Sequence, residues 1–504
     1  MIVLGCAIGG VRVKKIVLGG AVAAVLASLA WTLLIKILES PGWGDGWGAA
    51  RLTPTFAWLQ GYPLYGAIAQ EPILNTVYPP LTYLAYLPAT WSRDISVAVM
   101  VATAIAMGWF MVPVGLWLRA TGQFGALLWA GFGWWSLQCP PLAFSGFSIH
   151  ADAPALGLAA MAVWLVWGGR VGLGAVAAVL AVYAKQTMVP VMLALFIYLW
   201  LWGKVGSLMV FVKGLGLSGL VVSLGLWLSF DPGAMWFNTM VLPASHPWRS
   251  PDRVGILLSS LAELGGYGLL VWLLVVGGWC YLRATNANHL ADFWRRPWAI
   301  NLLTALFLVS TSLLGRVKVG GVENTLSPSL YFGAIAALLL IQDWYLGLEC
   351  QSQNLIKLGT TAMLVMVAVI QVKSLPGLSL AIANLPNNPQ AIAYQYAKAH
   401  SGQIYFPFHP LAHLLAEGKL YHFHYGIYDR ELAGYAPTAA HFAAHIPNDL
   451  QLVAFPPRFP SRDLTKSPPL RYLPEFRRSV EIAELPGWTV FAKNKPKIHP
   501  SAPE

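Results

Sequence analysis

Residues 95–118 read ISVAVMVATAIAMGWFMVPVGLWL, with no charged side chain between Asp94 and Arg119. An α-helix rises about 1.5 Å per residue, so this stretch reaches the roughly 30 Å of a bilayer's hydrocarbon core. Its apolar residues run all round the helix, as hydrocarbon tolerates and water does not. A membrane span is the reading, and the rest of the chain follows the same pattern.

Apolar runs recur at 16–38, 123–139, 153–169, 171–184, 187–203, 207–229, 254–282, 298–314, 326–342 and 356–373. With 95–118 these make eleven expected spans. An apolar share of 57% against a charged share of 11% excludes an ordinary soluble protein. The 23 Trp and 19 Tyr suit rings at the two membrane interfaces. A net charge of +11 raises nucleic acid as a partner, but the basic residues are dispersed between apolar segments and form no tract. They fit topology instead, and no nucleic-acid partner is expected. Cys6, Cys139, Cys280 and Cys350 lie far apart in or beside apolar segments, without metal or disulfide spacing.

The run 16–38 follows a basic patch of Arg12, Lys14 and Lys15, and is long enough to be a retained anchor rather than a signal peptide. The segment 81–89, cut by Pro88, is too short to cross and is expected to dip or lie beside the membrane. Threading eleven spans puts Arg119, Arg170, Lys204, Arg283, Arg295, Arg296 and Lys357 on the side of the N-terminal patch, the inner side by the positive-inside rule. Loops 39–94, 140–152, 230–253 and 315–325 then face outward, as does the tail. Beyond residue 373 the composition turns polar and mixed, with short β-like runs at 403–406, 450–455 and 479–492. The expected division is a membrane module over 1–373 and a small α/β or α+β extracytoplasmic domain over 374–504.

Charge at the outer edge of a membrane is costly, so each charged residue there is a functional candidate. Asp45 lies in Pro41-Gly42-Trp43-Gly44-Asp45-Gly46-Trp47, where glycines leave the backbone open. It can deprotonate a hydroxyl, bind a metal or simply sit in a solvated turn. Tyr62-Pro63-Leu64-Tyr65 and Tyr78-Pro79-Pro80-Leu81 form a rigid aromatic wall for a lipid or sugar, or an interface anchor. His150 and Asp152 either share a proton or Asp152 caps the helix that Pro154 opens. Lys185 either snorkels or meets an anion, and Arg316 and Lys318 are cations where the topology rule disfavours them. Together the three read as a phosphate clamp. Asp231, His246, Arg249, Asp252 and Arg253 in the 230–253 loop carry no motif.

Eight of the eleven histidines fall in the tail: His400, His409, His413, His422, His424, His441, His445 and His499. His409/His413 and His441/His445 have the i,i+4 spacing that chelates zinc on a helix, and His422 and His424 would share a strand face. The glutamate of a metalloprotease motif and cysteine ligands are missing, so ordinary packed or surface histidines are expected.

These pieces resemble the GT-C superfamily of polytopic glycosyltransferases that use lipid-phosphate sugars, among them protein mannosyltransferases and aminoarabinose transferases. The residues that carry the resemblance are Asp45 in the first outer loop, Gly61-Tyr62-Pro63-Leu64-Tyr65 and Tyr78-Pro79-Pro80-Leu81. Asp152, Lys185-Gln186 and the Lys318/Gly320/Gly321/Asn324 loop add to it. Asp45 and Asp152 stand outside any acidic pair, so a metal-independent enzyme without a cofactor is implied. The resemblance further implies an inverting transfer from a polyprenyl-phosphate donor to a protein, lipid or glycan hydroxyl on the outer face of a bacterial cytoplasmic membrane. Asp45, Asp152 and His150 would be catalytic, and Lys185, Arg316 and Lys318 would hold the phosphate. Tyr62, Tyr65, Tyr78, Gln186, His246 and Asn324 would line the substrate. A secondary transporter or lipid-handling protein is the alternative, marked by charges inside spans and paired broken helices.

Overall fold

The computed structural model describes residues 2–42, 47–67, 69–202, 205–249, 252–267, 295–372, 375–457, 464 and 467–494. Asp45, Lys204, Cys280, Arg283 and His499 lie outside the described residues, as does the second half of the expected span 254–282.

Helices occupy all the expected spans as far as they are described. They are Ile2–Glu39, Ile95–Leu118, Gln123–Gln138, Asp152–Trp167, Val171–Ala184, Val189–Leu201, Val205–Ser229, 253–267, Pro297–Val317, Ser327–Leu346 and Cys350–Val372. Six of the described helices are long and apolar enough to cross a membrane. Val171–Ala184 has 14 residues and Val189–Leu201 has 13, which reach only about 21 and 20 Å. Apolar composition therefore marks more segments than have full spanning length. The lipid-facing surface is plainest on Val205–Ser229, where Leu217, Leu220, Trp227 and Leu228 are exposed.

Small residues bring the central helices together, as expected where packing rather than water drives association. A Cβ on Gly157 would stand 2.4 Å from the Trp109 carbonyl oxygen, so Asp152–Trp167 lies backbone-close against Ile95–Leu118. Tyr331 reaches across from Ser327–Leu346 and donates to the Phe110 carbonyl at 2.8 Å. The segment after Tyr78 is a single turn, Leu81–Leu84, and a 3-10 piece, Leu87–Trp91, both too short to cross. The expected loop 230–253 is largely helical instead. Asp231 caps Pro232–Trp236 by accepting from the Ala234 amide at 2.6 Å, and a π turn, Phe237–Val241, and Leu242–Ser245 follow.

The tail folds around a four-stranded mixed sheet: β1 (Ile404–Tyr405), β2 (Leu452–Phe455), β3 (Phe476–Val480) and β4 (Thr489–Lys493). Its order is β1-β2-β4-β3, with β1 parallel to β2 and the other pairs antiparallel. The tail is seated on the loop that follows the first helix. Phe423 donates its amide to the Ile73 carbonyl at 2.8 Å, and the Ile73 amide donates to His422 Nδ1 at 2.9 Å. Trp47 stacks on Tyr425 with ring centroids 4.2 Å apart.

The described tail histidines do not take the arrangement their spacing predicts. His409 precedes the helix Pro410–Glu417 rather than lying on it, and His422 sits in irregular backbone while His424 opens a helix. His413 Nδ1 donates to Glu417 at 2.7 Å, and its Nε2 accepts from the Phe406 amide. His441 and His445 bond the Glu71 and Gln70 carbonyls, each at 2.9 Å. Among the described residues no group of three His, Cys, Asp or Glu is arranged to hold a metal ion.

Candidate active site

Between one set of helix ends and the tail lies a cavity of about 710 Å³. Its walls come from Trp47 and Arg51, the Asn75–Tyr78 segment, His150, Lys185 to Thr187, the 243–249 turn, the 315–325 loop and the tail helix His424–Leu432. The lining carries the cations Arg51, Lys185, Arg249, Arg316 and Lys318 against two carboxyls, Glu323 and Asp429.

One wall is built on a buried carboxylate. Asp152, the first residue of its helix, is fully buried and does not line the cavity. It caps nothing. One oxygen takes the Lys185 ammonium at 2.5 Å, and the other accepts from Asn324 Nδ2 at 2.8 Å and pairs with His150 Nδ1. Asp152 thus fixes three lining residues that come from three separate segments. Burial holds the His150 imidazole down at about 4, with the Arg51 guanidinium pushing the same way. It is therefore neutral at pH 7, and its Nε2 faces the Tyr78 hydroxyl at 3.4 Å. Tyr78 is also a wall for Lys185, whose ammonium stands 5.7 Å from the ring centroid.

The opposite wall is a cationic turn. Lys318 Nζ donates to the Pro243 and Ala244 carbonyls at 2.9 and 2.8 Å and stands 5.1 Å from the Trp248 ring centroid. Arg249 donates to the Gly321 carbonyl, and its amide bonds the Val317 carbonyl. A Cβ on Gly321 would stand 2.0 Å from the Gly315 carbonyl oxygen, so the loop closes this tightly only with glycine there. Arg316 faces Glu263 at 3.4 Å, a loose and partly exposed pair. Burial, with Lys318 beside it, lowers the His246 imidazole below its ordinary value.

The expected site residues divide on this geometry. Tyr78, His150, Lys185, Gln186, His246, Arg316, Lys318 and Asn324 converge on the cavity. Tyr62 and Tyr65 instead line a separate groove with Trp58 and Phe230. There Tyr65 donates to the Tyr78 carbonyl at 2.8 Å and Tyr62 bonds the Gly418 carbonyl, so both brace the loop and the tail. Asp45 lies outside the described residues. Arg51 and Asp429 are lining residues to which the sequence gives no role, and Arg249, the alternative place for the clamp, lines the cavity too. For the tail helix one signal exists: Tyr425, Tyr428 and Asp429 stand at i, i+3 and i+4, and so share a face.

A cavity where a helical membrane module meets a small mixed domain is the architecture the GT-C resemblance implies. The chain is similar in structure to ArnT from Cupriavidus metallidurans. The apo form superposes with a TM-score of 0.58 at 13% identity, over 93% of this chain and 97% of that one. The form bound to undecaprenyl phosphate gives 0.53 at 12% identity, over 92% and 97%. No protein-family model matches the sequence, and no curated protein is significantly similar to it.

Proposed function

We propose that the protein transfers a sugar from a polyprenyl-phosphate donor to an acceptor hydroxyl on the outer face of the membrane, inverting the anomeric centre. The observation that carries this reading is the cavity itself. Five cations line a space of about 710 Å³ at the outer ends of apolar helices, where a lipid-linked phosphate would sit with its chain in the bilayer. The fold it shares with a protein crystallised with undecaprenyl phosphate supports the same donor class.

In this mechanism Arg316, Lys318 and Arg249 bind the phosphate, and Lys185, held by Asp152, completes the positive wall. Asp45 takes the proton from the acceptor hydroxyl. Trp47, two positions further on, lines the cavity. The acceptor oxygen bonds to the anomeric carbon as the bond to the phosphate oxygen breaks, and the electron pair leaves with the lipid phosphate. That phosphate gains charge along the path, so the cations bind the transition state better than the ground state. His150 and Tyr78 shape the reacting side from a neutral, hydrogen-bonded pair. The N-terminus is inside and the tail outside, in a bacterial cytoplasmic membrane.

The test has two readouts. Purified protein in nanodiscs should bind undecaprenyl phosphate, and mass spectrometry of envelope glycans and glycoproteins with and without the gene should reveal one missing sugar. Absence of lipid-phosphate binding together with an unchanged envelope sinks the proposal. Coupled movement of a solute across the membrane would favour a transporter.

A further inference from the structure

Asp429 stands out among the charged residues of the cavity. It is on the tail helix His424–Leu432, and a Cβ at Gly426 on that helix would stand 2.8 Å from Leu74 backbone atoms. Such close approach needs glycine, and it carries the Asp429 carboxyl into the cavity beside Asn75. There the Asn75 amide donates to the carboxylate. Five cations line the same space, yet none of them forms a salt bridge with Asp429 among the described residues. A carboxylate that meets an amide and whose neighbouring cations are held by other groups is not explained as an ion-pair partner.

The position is also specific. The His246 ring lies beside the Asp429 backbone, and His246 belongs to the turn that Lys318 and Arg249 hold. Asp429 therefore borders the phosphate-binding wall. Tyr425 and Tyr428 line the cavity from the same helix face. Carboxylate, amide and aromatic faces together match a sugar ring, whose hydroxyls need donors and acceptors and whose C–H face needs an apolar surface.

We infer that Asp429 and Asn75 form a subsite for hydroxyls of the sugar carried on the lipid phosphate, so that the tail helps select the donor. This rests on the donor class proposed above. Burial raises the Asp429 carboxyl to about 7, against the smaller opposing effect of the Asn75 hydrogen bond. The group can thus donate as well as accept near neutral pH. The titratable groups facing it are His246 and Tyr78, both lining residues.

The experiment compares affinities of full-length protein in nanodiscs for undecaprenyl phosphate and for undecaprenyl-phosphate arabinose, mannose, glucose and galactose. The parent should bind at least one sugar-bearing lipid about tenfold or more tighter than the bare lipid phosphate. Asp429→Ala and Asn75→Ala should each erase most of that ratio, by roughly tenfold for a lost hydrogen bond to a charged group, while bare lipid-phosphate binding stays at the parental value. Asp429→Asn should lose part of it. Removing a half-buried carboxyl with a raised pKa should also lift Tm more at pH 8 than at pH 5, which shows that the variant is folded. Parental ratios in both alanine variants overturn the inference, and so does a parent that binds bare and sugar-bearing lipids equally. An unchanged ratio with a raised KM for the acceptor overturns it too, by placing the carboxyl on the acceptor side. Failure of the parent to bind undecaprenyl phosphate would count against the proposed function instead.

Discussion

The Lys185 ammonium and the Asp152 carboxylate meet at 2.5 Å with 7% and 0% of their side chains exposed, bridging the start of one helix to the end of another. Removing one partner from a buried pair strands the other charge, at roughly 3–5 kcal/mol. Asp152→Ala and Lys185→Met should each lose about that much stability in detergent denaturation. The double variant Asp152→Leu with Lys185→Met should lose clearly less than the sum. Strict additivity would mean that the pair is not coupled.

The cations differ in what they hold. Arg316 has only a loose contact with Glu263, whereas Lys318 and Arg249 also tie down the 243–249 turn. Arg316→Ala should weaken undecaprenyl phosphate binding about tenfold to a hundredfold with Tm unchanged. Lys318→Ala should lower both affinity and Tm. Normal binding in Arg316→Ala, Lys318→Ala and Arg249→Ala together would put the phosphate elsewhere.

How much of this was readable beforehand follows from what each feature depends on. The helix Ile95–Leu118 is legible because lipid imposes an unbroken apolar run, a local property of the sequence. The convergence of His150, Lys185 and Asn324 is only half legible. Topology puts them on one face, but no sequence pattern says that Asp152 gathers them from behind. The tail histidines mislead, because i,i+4 spacing is blind to a helix that starts after His409 and to ring nitrogens that meet loop carbonyls. Asp429 reaches the cavity through the packing of Gly426 on Leu74, a long-range contact with no local trace.

The tail should be sensitive to acid. Burial holds His409, His422 and His424 near 3, against about 6.5 when unfolded. Above pH 6.5 they are neutral in both states. Below it the unfolded chain binds protons that the folded tail refuses, so stability falls as pH drops from about 6.5 towards 3. His409 is the clearest case, buried with neither ring nitrogen hydrogen-bonded. His409→Leu should reduce the loss of Tm between pH 7.5 and 5. An identical loss in parent and variant would remove His409 as a contributor.

Topology is tested by position. In a cysteine-free background, Glu481→Cys on the exposed tail surface should react with an impermeant maleimide from outside only. Arg119→Cys, exposed at the other end of the first central helix, should react from inside only. The reverse pattern would place the cavity in the cytoplasm and remove its access to outer-face acceptors.

The proposed chemistry rests on Asp45. The Asp152 carboxylate is engaged by Lys185, Asn324 and His150 and does not line the cavity, which leaves it poorly placed to take a proton from substrate. The proposed mechanism therefore takes the base from the first loop, in the stretch just before Trp47. A general base contributes roughly 10²–10⁴-fold in rate. Asp45→Asn keeps the shape and most of the hydrogen bonding, so it should fold, bind undecaprenyl phosphate at parental affinity and lose sugar transfer by about that factor. Asp45→Glu, longer by one methylene, should keep part of the activity at best. Transfer at the parental rate by purified Asp45→Asn would move the base to another group. The neutral His150, with its Nε2 turned towards Tyr78 at the cavity wall, would be the next to replace.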